Sequence, residues 1–183
     1  MSDFTRNDGT RYYGKYRATV FSNIDPEMRG RIQAIVPDVL GIIPSTFALP
    51  CAPVAGKSSG AFFVPEIGAN VWIEFEQGDP DYPIWTGCFW GIPSGIPLMG
   101  VASPPPTPNI VLETTGHNSV TIFGLPAAGV ALSAGPLGPS PSITVMPTAI
   151  VIKCASSLIS VSPAGVDIVG AKITLNGTAL VVT

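Results

Sequence analysis

The stretch Ser142-Ile143-Thr144-Val145-Met146-Pro147-Thr148-Ala149-Ile150-Val151-Ile152-Lys153-Cys154-Ala155-Ser156-Ser157-Leu158-Ile159-Ser160-Val161-Ser162 places apolar residues in pairs two apart. The pairs are Ile143/Val145, Ile150/Ile152 and Ile159/Val161, and Val166/Ile168, Ile173/Leu175 and Leu180/Val182 continue the series. Successive pairs lie 7, 9, 7, 7 and 7 residues apart. Looser members precede them at Ile110/Leu112, Val120/Ile122 and Val130/Leu132. Between pairs stand mostly Gly, Pro, Ser, Asn and Ala, the residues of turns. The pattern predicts short strands joined by tight turns, with one face always apolar.

The period bounds how that face can be covered. Seven residues make one strand of four or five residues and a turn. A coil that encloses its own core needs roughly 20 residues or more. One chain therefore makes a narrow ribbon with a wet apolar face, or one side of a prism shared by several chains. At ~25 cal/mol per Å², burial between chains is the strongest driving force available. Three chains closing a triangular prism would bury the stripes and protect the strand edges. Asn176-Gly177 is a hairpin signal, which leaves strand direction in this region open.

Outward from the repeat, the chain changes character. Of 183 residues only 11 % are charged, with 20 Gly, 20 Pro and a net charge of −3. Most charges precede Asp81, and beyond Trp90 only Glu113, Lys153, Asp167 and Lys172 remain. The Pro-rich stretch Ser103-Pro104-Pro105-Pro106-Thr107-Pro108 sits near the change and reads as extended and stiff. Mean hydropathy is +0.42, yet Pro, Gly, Ser or Thr interrupts every apolar run before it could span a membrane. The polar start from Met1 to Lys15 lacks the apolar core of a secretory signal.

The first half reads as antiparallel β structure. Tyr16, Ala18 and Val20 alternate with polar neighbours, Asp25-Pro26-Glu27-Met28-Arg29-Gly30 turns the chain, and Ile32, Ala34 and Val36 return it. A second hairpin has Val71, Ile73 and Phe75 on one face, a turn at Gly78-Asp79-Pro80-Asp81, and a return from Pro83 to Trp90. Ala61 to Val64 is a further candidate strand.

Two runs resemble a known family. Ser22 to Pro37 is similar to the "DP..GRV.V..P" hairpin that opens the OB domain of central spike proteins of contractile injection systems, both VgrG-like and phage baseplate assembly protein V-like. Ala55-Gly56 through Gly60, then Pro65 to Pro83, is similar to the family's "AG…G….P..G..V.V.F..GD...P" run. The resemblance covers roughly residues 14 to 90. Residues 110 to 183 resemble, with a degenerate motif, the triple-stranded needle that follows. The expected fold is all-β, an OB-fold barrel followed by an intertwined trimeric β-helix or β-prism. The expected domains are an N-terminal extension at 1–13, the OB domain at 14–100, a Pro-rich linker at 101–108 and the needle at 109–183.

The resemblance implies a homotrimer on baseplate hub proteins that punctures a target envelope when a sheath contracts. It implies assembly in the bacterial cytoplasm and residence in a phage or other contractile particle. Some relatives bind iron through a His-x-His motif at the apex. Here the only histidine is His117, so a separate PAAR-like tip protein is expected instead, docking on Leu180, Val181, Val182 and Thr183. A trimeric fibre or adhesin is the runner-up reading.

No catalytic site, cofactor or metal is expected. Gly56-Lys57-Ser58-Ser59-Gly60 fits a nucleophile elbow, but that needs a following helix and a histidine base. Cys51 to Ser58 resembles a phosphate loop, with Cys51 where its first glycine belongs. Glu74/Glu76 and Asp79/Asp81 read as a strand face and a turn. Cys51, Cys88 and Cys154 are too dispersed for zinc or a disulfide framework. Net negative charge argues against nucleic acid, although Arg6, Arg11, Lys15 and Arg17 interleaved with Tyr12, Tyr13 and Tyr16 leave an OB-type single-strand binder as a third reading.

Overall fold

The computed structural model describes residues 9–103, 105–136, 140–175 and 180–182. It divides into two compact units between Pro93 and Ser94.

In the first unit, β1 (Tyr16–Ser22) pairs antiparallel with β2 (Gln33–Ile35) and with β6 (Asn70–Phe75). β6 continues into an antiparallel pairing with β7 (Pro83–Cys88), and β7 lies parallel to β3 (Leu49–Pro50). The sheet order is β2-β1-β6-β7-β3. Ile32 and Ala48 then exchange both backbone hydrogen bonds, at 3.2 and 2.7 Å, and join the β3 segment back to β2. The sheet thereby closes on itself, which is the five-stranded barrel of an OB fold.

Alternation fills the barrel. Ala18, Val20, Ile32, Ala34, Val36, Ala48, Val71, Ile73, Phe75 and Trp85 form the buried core. Three of these are alanines, and their small size suits so narrow an interior. The Trp85 indole N–H is not stranded, since it donates to the Gly30 carbonyl at 3.1 Å. Buried Ser45 accepts from the Ala34 N–H at 3.1 Å and donates to the Thr46 carbonyl at 2.7 Å.

Ala61–Val64 is not a strand. The chain instead makes a small hairpin of β4 (Ala55–Gly56) and β5 (Ser59–Gly60), and residues 61–66 follow without regular pairing. The run is apolar and rich in strand-favouring residues, but the barrel ring closes through Ile32 and Ala48 without it. Two helices are short: α1 (Pro37–Leu40) and α2 (Leu98–Val101).

In the second unit, β8 (Ile110–Glu113), β9 (Ser119–Ile122), β10 (Val130–Ser133), β11 (Ser142–Met146), β12 (Ala149–Cys154), β13 (Ser157–Ser162) and β14 (Gly165–Val169) form one antiparallel meander in chain order. Strand direction, open on the sequence, is antiparallel throughout, and every pairing from Ile110 to Val169 is between consecutive strands of one chain. β15 (Ile173–Leu175) and β16 (Leu180–Val182) form a separate antiparallel ribbon. The Asn176-Gly177 hairpin signal lies outside the described residues.

Within the Pro-rich stretch, residues 105–107 turn rather than extend. Ser103 Oγ donates to the Thr107 carbonyl at 2.7 Å, and Asn109 Nδ2 reaches back to the Met99 carbonyl at 2.7 Å. α2 packs against β8, so the residues from Ser94 onward belong with the second unit. The side-chain bonds of Ser103 and Asn109 outweigh the extended preference of the prolines.

Candidate functional site

The meander holds the apolar pairs in strict register. Ile110, Ile122, Val130, Val145, Ile150, Val161 and Val166 are successive cross-strand partners. Leu112, Val120, Leu132, Ile143, Ile152, Ile159 and Ile168 form a second such column. Two parallel apolar ladders, each seven residues long, therefore run up one face. Every member is 37 to 64 % exposed in the single chain. Cross-strand contact between β-branched and Leu side chains supports the sheet along the ladder, but among the described residues nothing covers the outer half of each side chain. Covering that half is worth roughly 1 kcal/mol per side chain. An uncovered face of this length marks an interaction surface.

The spacing of 9 between Ile150 and Ile159 has a simple cause. β12 and β13 extend one rung further, through Lys153↔Leu158 and Cys154↔Ser157, before turning at Ala155-Ser156. The longer hairpin keeps Ile152 opposite Ile159, and the ladders stay continuous. The looser early pairs are equal members once paired. Gly129 was not legible as a requirement. Its φ is +74°, and a Cβ there would lie 1.9 Å from the Val145 carbonyl oxygen.

The opposite face carries Thr121, Ala131, Thr144, Val151, Ser160 and Asp167 along one row. It is small, hydroxyl-rich and sparsely charged. The Glu113 carboxylate lies within hydrogen-bond distance of His117 Nδ1, at 2.7 Å, and His117 occupies a turn at φ +59°.

The candidate chemistry motifs have structural uses. Gly56 to Gly60 is the β4–β5 hairpin, with Ser58 in the turn at φ +55° and no helix following it. Cys51 to Ser58 is loop and hairpin. Glu74 pairs with Lys15 Nζ at 2.8 Å, and Asp79 with Arg11 Nη1 at 2.7 Å. The Arg17 guanidinium lies 4.9 Å from the ring centres of both Trp72 and Phe89. The described members of the N-terminal basic cluster are thus engaged within the barrel, and Arg6 lies outside the described residues. Among the described residues no group of three or more His, Cys, Asp or Glu could hold a metal. No described helix is long and apolar enough to cross a membrane.

The barrel's first turn is the most heavily bonded polar site. The Asp25 carboxylate accepts the N–H groups of Glu27, Arg29 and Arg31 at 3.0, 2.7 and 3.2 Å. Arg31 adds Nε at 3.0 Å and Nη2 at 2.6 Å, and its guanidinium lies 4.7 Å from the Phe47 ring centre. The Arg31 bond, joined by the backbone donors, holds the Asp25 carboxyl well below the usual carboxylate range against the opposing effect of burial. Leu180, Val181 and Val182 lie on β16, and Thr183 is outside the described residues.

Residues 16–90 match the family model described as the Type VI secretion system/phage-baseplate injector OB domain. Residues 109–181 match the phage baseplate V C-terminal trimerisation domain. No curated protein matches the chain. The first match falls on the barrel and the second on the strands that carry the uncovered ladders, so the chain is a homotrimeric baseplate component and belongs to the phage baseplate V family.

Proposed function

We propose that three copies join through the two apolar ladders to form the central spike of a contractile injection baseplate. The ladders carry this reading: fourteen aligned aliphatic side chains on one face are left without cover among the described residues. Three such faces closing a prism would place six aliphatic side chains in each strand layer. Most layers pair one Val with one Ile or Leu, which keeps the cross-section even along the axis. A prism with continuous strand pairing and a shared core suits a part that transmits force without unfolding.

On this reading the barrels sit on hub proteins, the needle pierces the target envelope on sheath contraction, and Leu180 to Thr183 receive a PAAR-like tip protein. The intertwining of the needle on this reading lies in how three copies wrap together, since the described strand pairings, β15 with β16 included, are made within one chain. The protein acts mechanically and without catalysis, because each motif that could carry chemistry is engaged in a turn or an ion pair. The engagement of Arg11 and Lys15 by Asp79 and Glu74 also weakens the nucleic-acid reading. The spike is made in the bacterial cytoplasm and resides in the assembled particle.

Light scattering of the full-length protein tests the core of this proposal. A trimer that persists in denaturant supports it, and a monomer at micromolar concentration ends it. Deleting residues 180–183 should abolish capture of a PAAR-like protein while leaving the trimer intact.

A further inference from the structure

The barrel carries an apolar surface of its own. A groove of about 1040 Å³ runs beside β7, between the turn at Met28–Gly30 and the β4–β5 hairpin. Trp85 to Gly87 line its floor, and Met28, Val54, Phe62 and Phe63 stand along it, each more than 60 % exposed. The ladder between β3 and β7 ends at the bond from the Cys51 N–H to the Trp85 carbonyl, at 2.9 Å, so β3 does not roof the groove further on. Arg29 is the one charged lining residue, and it is paired with Glu27 at 3.1 Å. The groove therefore suits an uncharged aliphatic occupant.

The same barrel presents an aliphatic projection. α1 ends at Gly41, whose φ of +63° reverses the chain, and the Ile43 N–H fixes the turn by bonding to the Leu40 carbonyl at 3.3 Å. Ile42 and Ile43 are left 91 % and 68 % exposed. Exposed tight turns are ordinarily built from Gly, Pro, Asn, Asp and Ser, so two isoleucines there require another explanation. Neither fills the groove of its own chain.

We propose that in the homotrimer Ile42 and Ile43 of each copy insert into the Met28–Val54–Phe62 groove of the next. The inference rests on the trimer reading and adds a second interface to it. A projection and a groove at different places on one body make a heterologous contact, and such contacts close into a ring when the rotation permits. In a three-membered ring every groove is filled and every projection covered. About twenty residues tie β7 to β8, so trimerisation through the needle holds three barrels together at millimolar effective concentration, where even a small contact forms. The ring thus forms together with the needle interface rather than as a separate association.

Native Cys51 lines the groove and supplies the probe. In full-length protein, Cys88→Ser and Cys154→Ser leave Cys51 as the sole thiol. Ile42→Cys is then introduced in one variant and Ile43→Cys in another, both at exposed positions that the fold does not need. Mild oxidation should convert at least one variant into covalent dimers and trimers on a non-reducing gel, while the parent with Cys51 alone stays monomeric on the gel. The inference is overturned if both variants are trimeric by light scattering, yet neither cross-links and Cys51 stays fully reactive to maleimide. It is equally overturned if Cys51 becomes protected only in the assembled baseplate, which would assign the groove to a different protein. A variant series that is monomeric by light scattering would instead remove the trimer reading beneath it.

Discussion

Arg31 closes the first barrel hairpin onto Asp25 through Nε and Nη2 at 3.0 and 2.6 Å, while the same carboxylate gathers three backbone N–H groups of the turn. The Asp25 side chain is 4 % exposed. A carboxylate with that many donors fixes the conformation of the turn. It sets the geometry from which β2 departs and places Gly30 where its carbonyl meets the Trp85 indole.

Asp25→Asn should lower the thermal midpoint of the barrel distinctly, because an amide cannot accept all five bonds and leaves the largely buried Arg31 guanidinium to the exposed Glu27 carboxylate at 3.1 Å. Glu27→Gln, on a largely exposed side chain, should have little effect. Comparison of the two melting curves checks the assignment. Equal midpoints would show that the turn holds without the carboxylate.

Acid should loosen the barrel through the same group. The folded pKa of Asp25 is depressed below its unfolded value, so its contribution is fully present above the unfolded pKa of ~3.9 and is lost as pH falls toward the folded value. Asp79 acts in the same direction, chiefly through the Asp81 N–H and then through Arg11. Stability measured by denaturant titration should be flat from neutrality to about pH 5 and decline below about pH 4. In Asp25→Asn the decline should be shallower.

Ile152→Asp should dissociate the trimer. The β12 layer would receive three carboxylates in an aliphatic core, at several kcal/mol apiece. Lys153→Ser, one residue along and on the opposite face by alternation, should leave the association state unchanged. Light scattering over a dilution series distinguishes the two, and an unperturbed trimer in Ile152→Asp would show that the ladders face solvent.

Gly129→Ala should cost the needle about 1–3 kcal/mol or more, since the backbone is left-handed there and the Val145 carbonyl occupies the space of the new methyl. Gly100→Ala, whose methyl would meet only the Ile96 side chain at an ordinary 3.4 Å, should be near neutral. Denaturant midpoints of the two variants give the comparison.

Much of this was legible in the residues. The alternation at Tyr16–Ser22 and Asn70–Phe75 marks barrel strands because one face of each is buried and the other is not. Ala61–Val64 is an apolar run of strand-favouring residues and is not a strand, because pairing depends on partners elsewhere in the sheet. Ser103 to Pro108 has the composition of an extended spacer, yet residues 105–107 turn, and the two side-chain bonds made by Ser103 and Asn109 are invisible to composition. Ile42 and Ile43 carry no periodic signal, and only their exposure at the end of α1 gives them meaning.

By itself, the order of residues determined that the needle has one apolar face and that a single chain cannot enclose it. A seven-residue period allows one strand and one turn, and that constraint is local. Only the tertiary structure decided that the strands run antiparallel within one chain, that the 9-residue step preserves the register, and that the barrel closes through Ile32 and Ala48. These depend on which distant backbone groups meet. Many pairings satisfy the same local pattern, and burial of the whole set selects one.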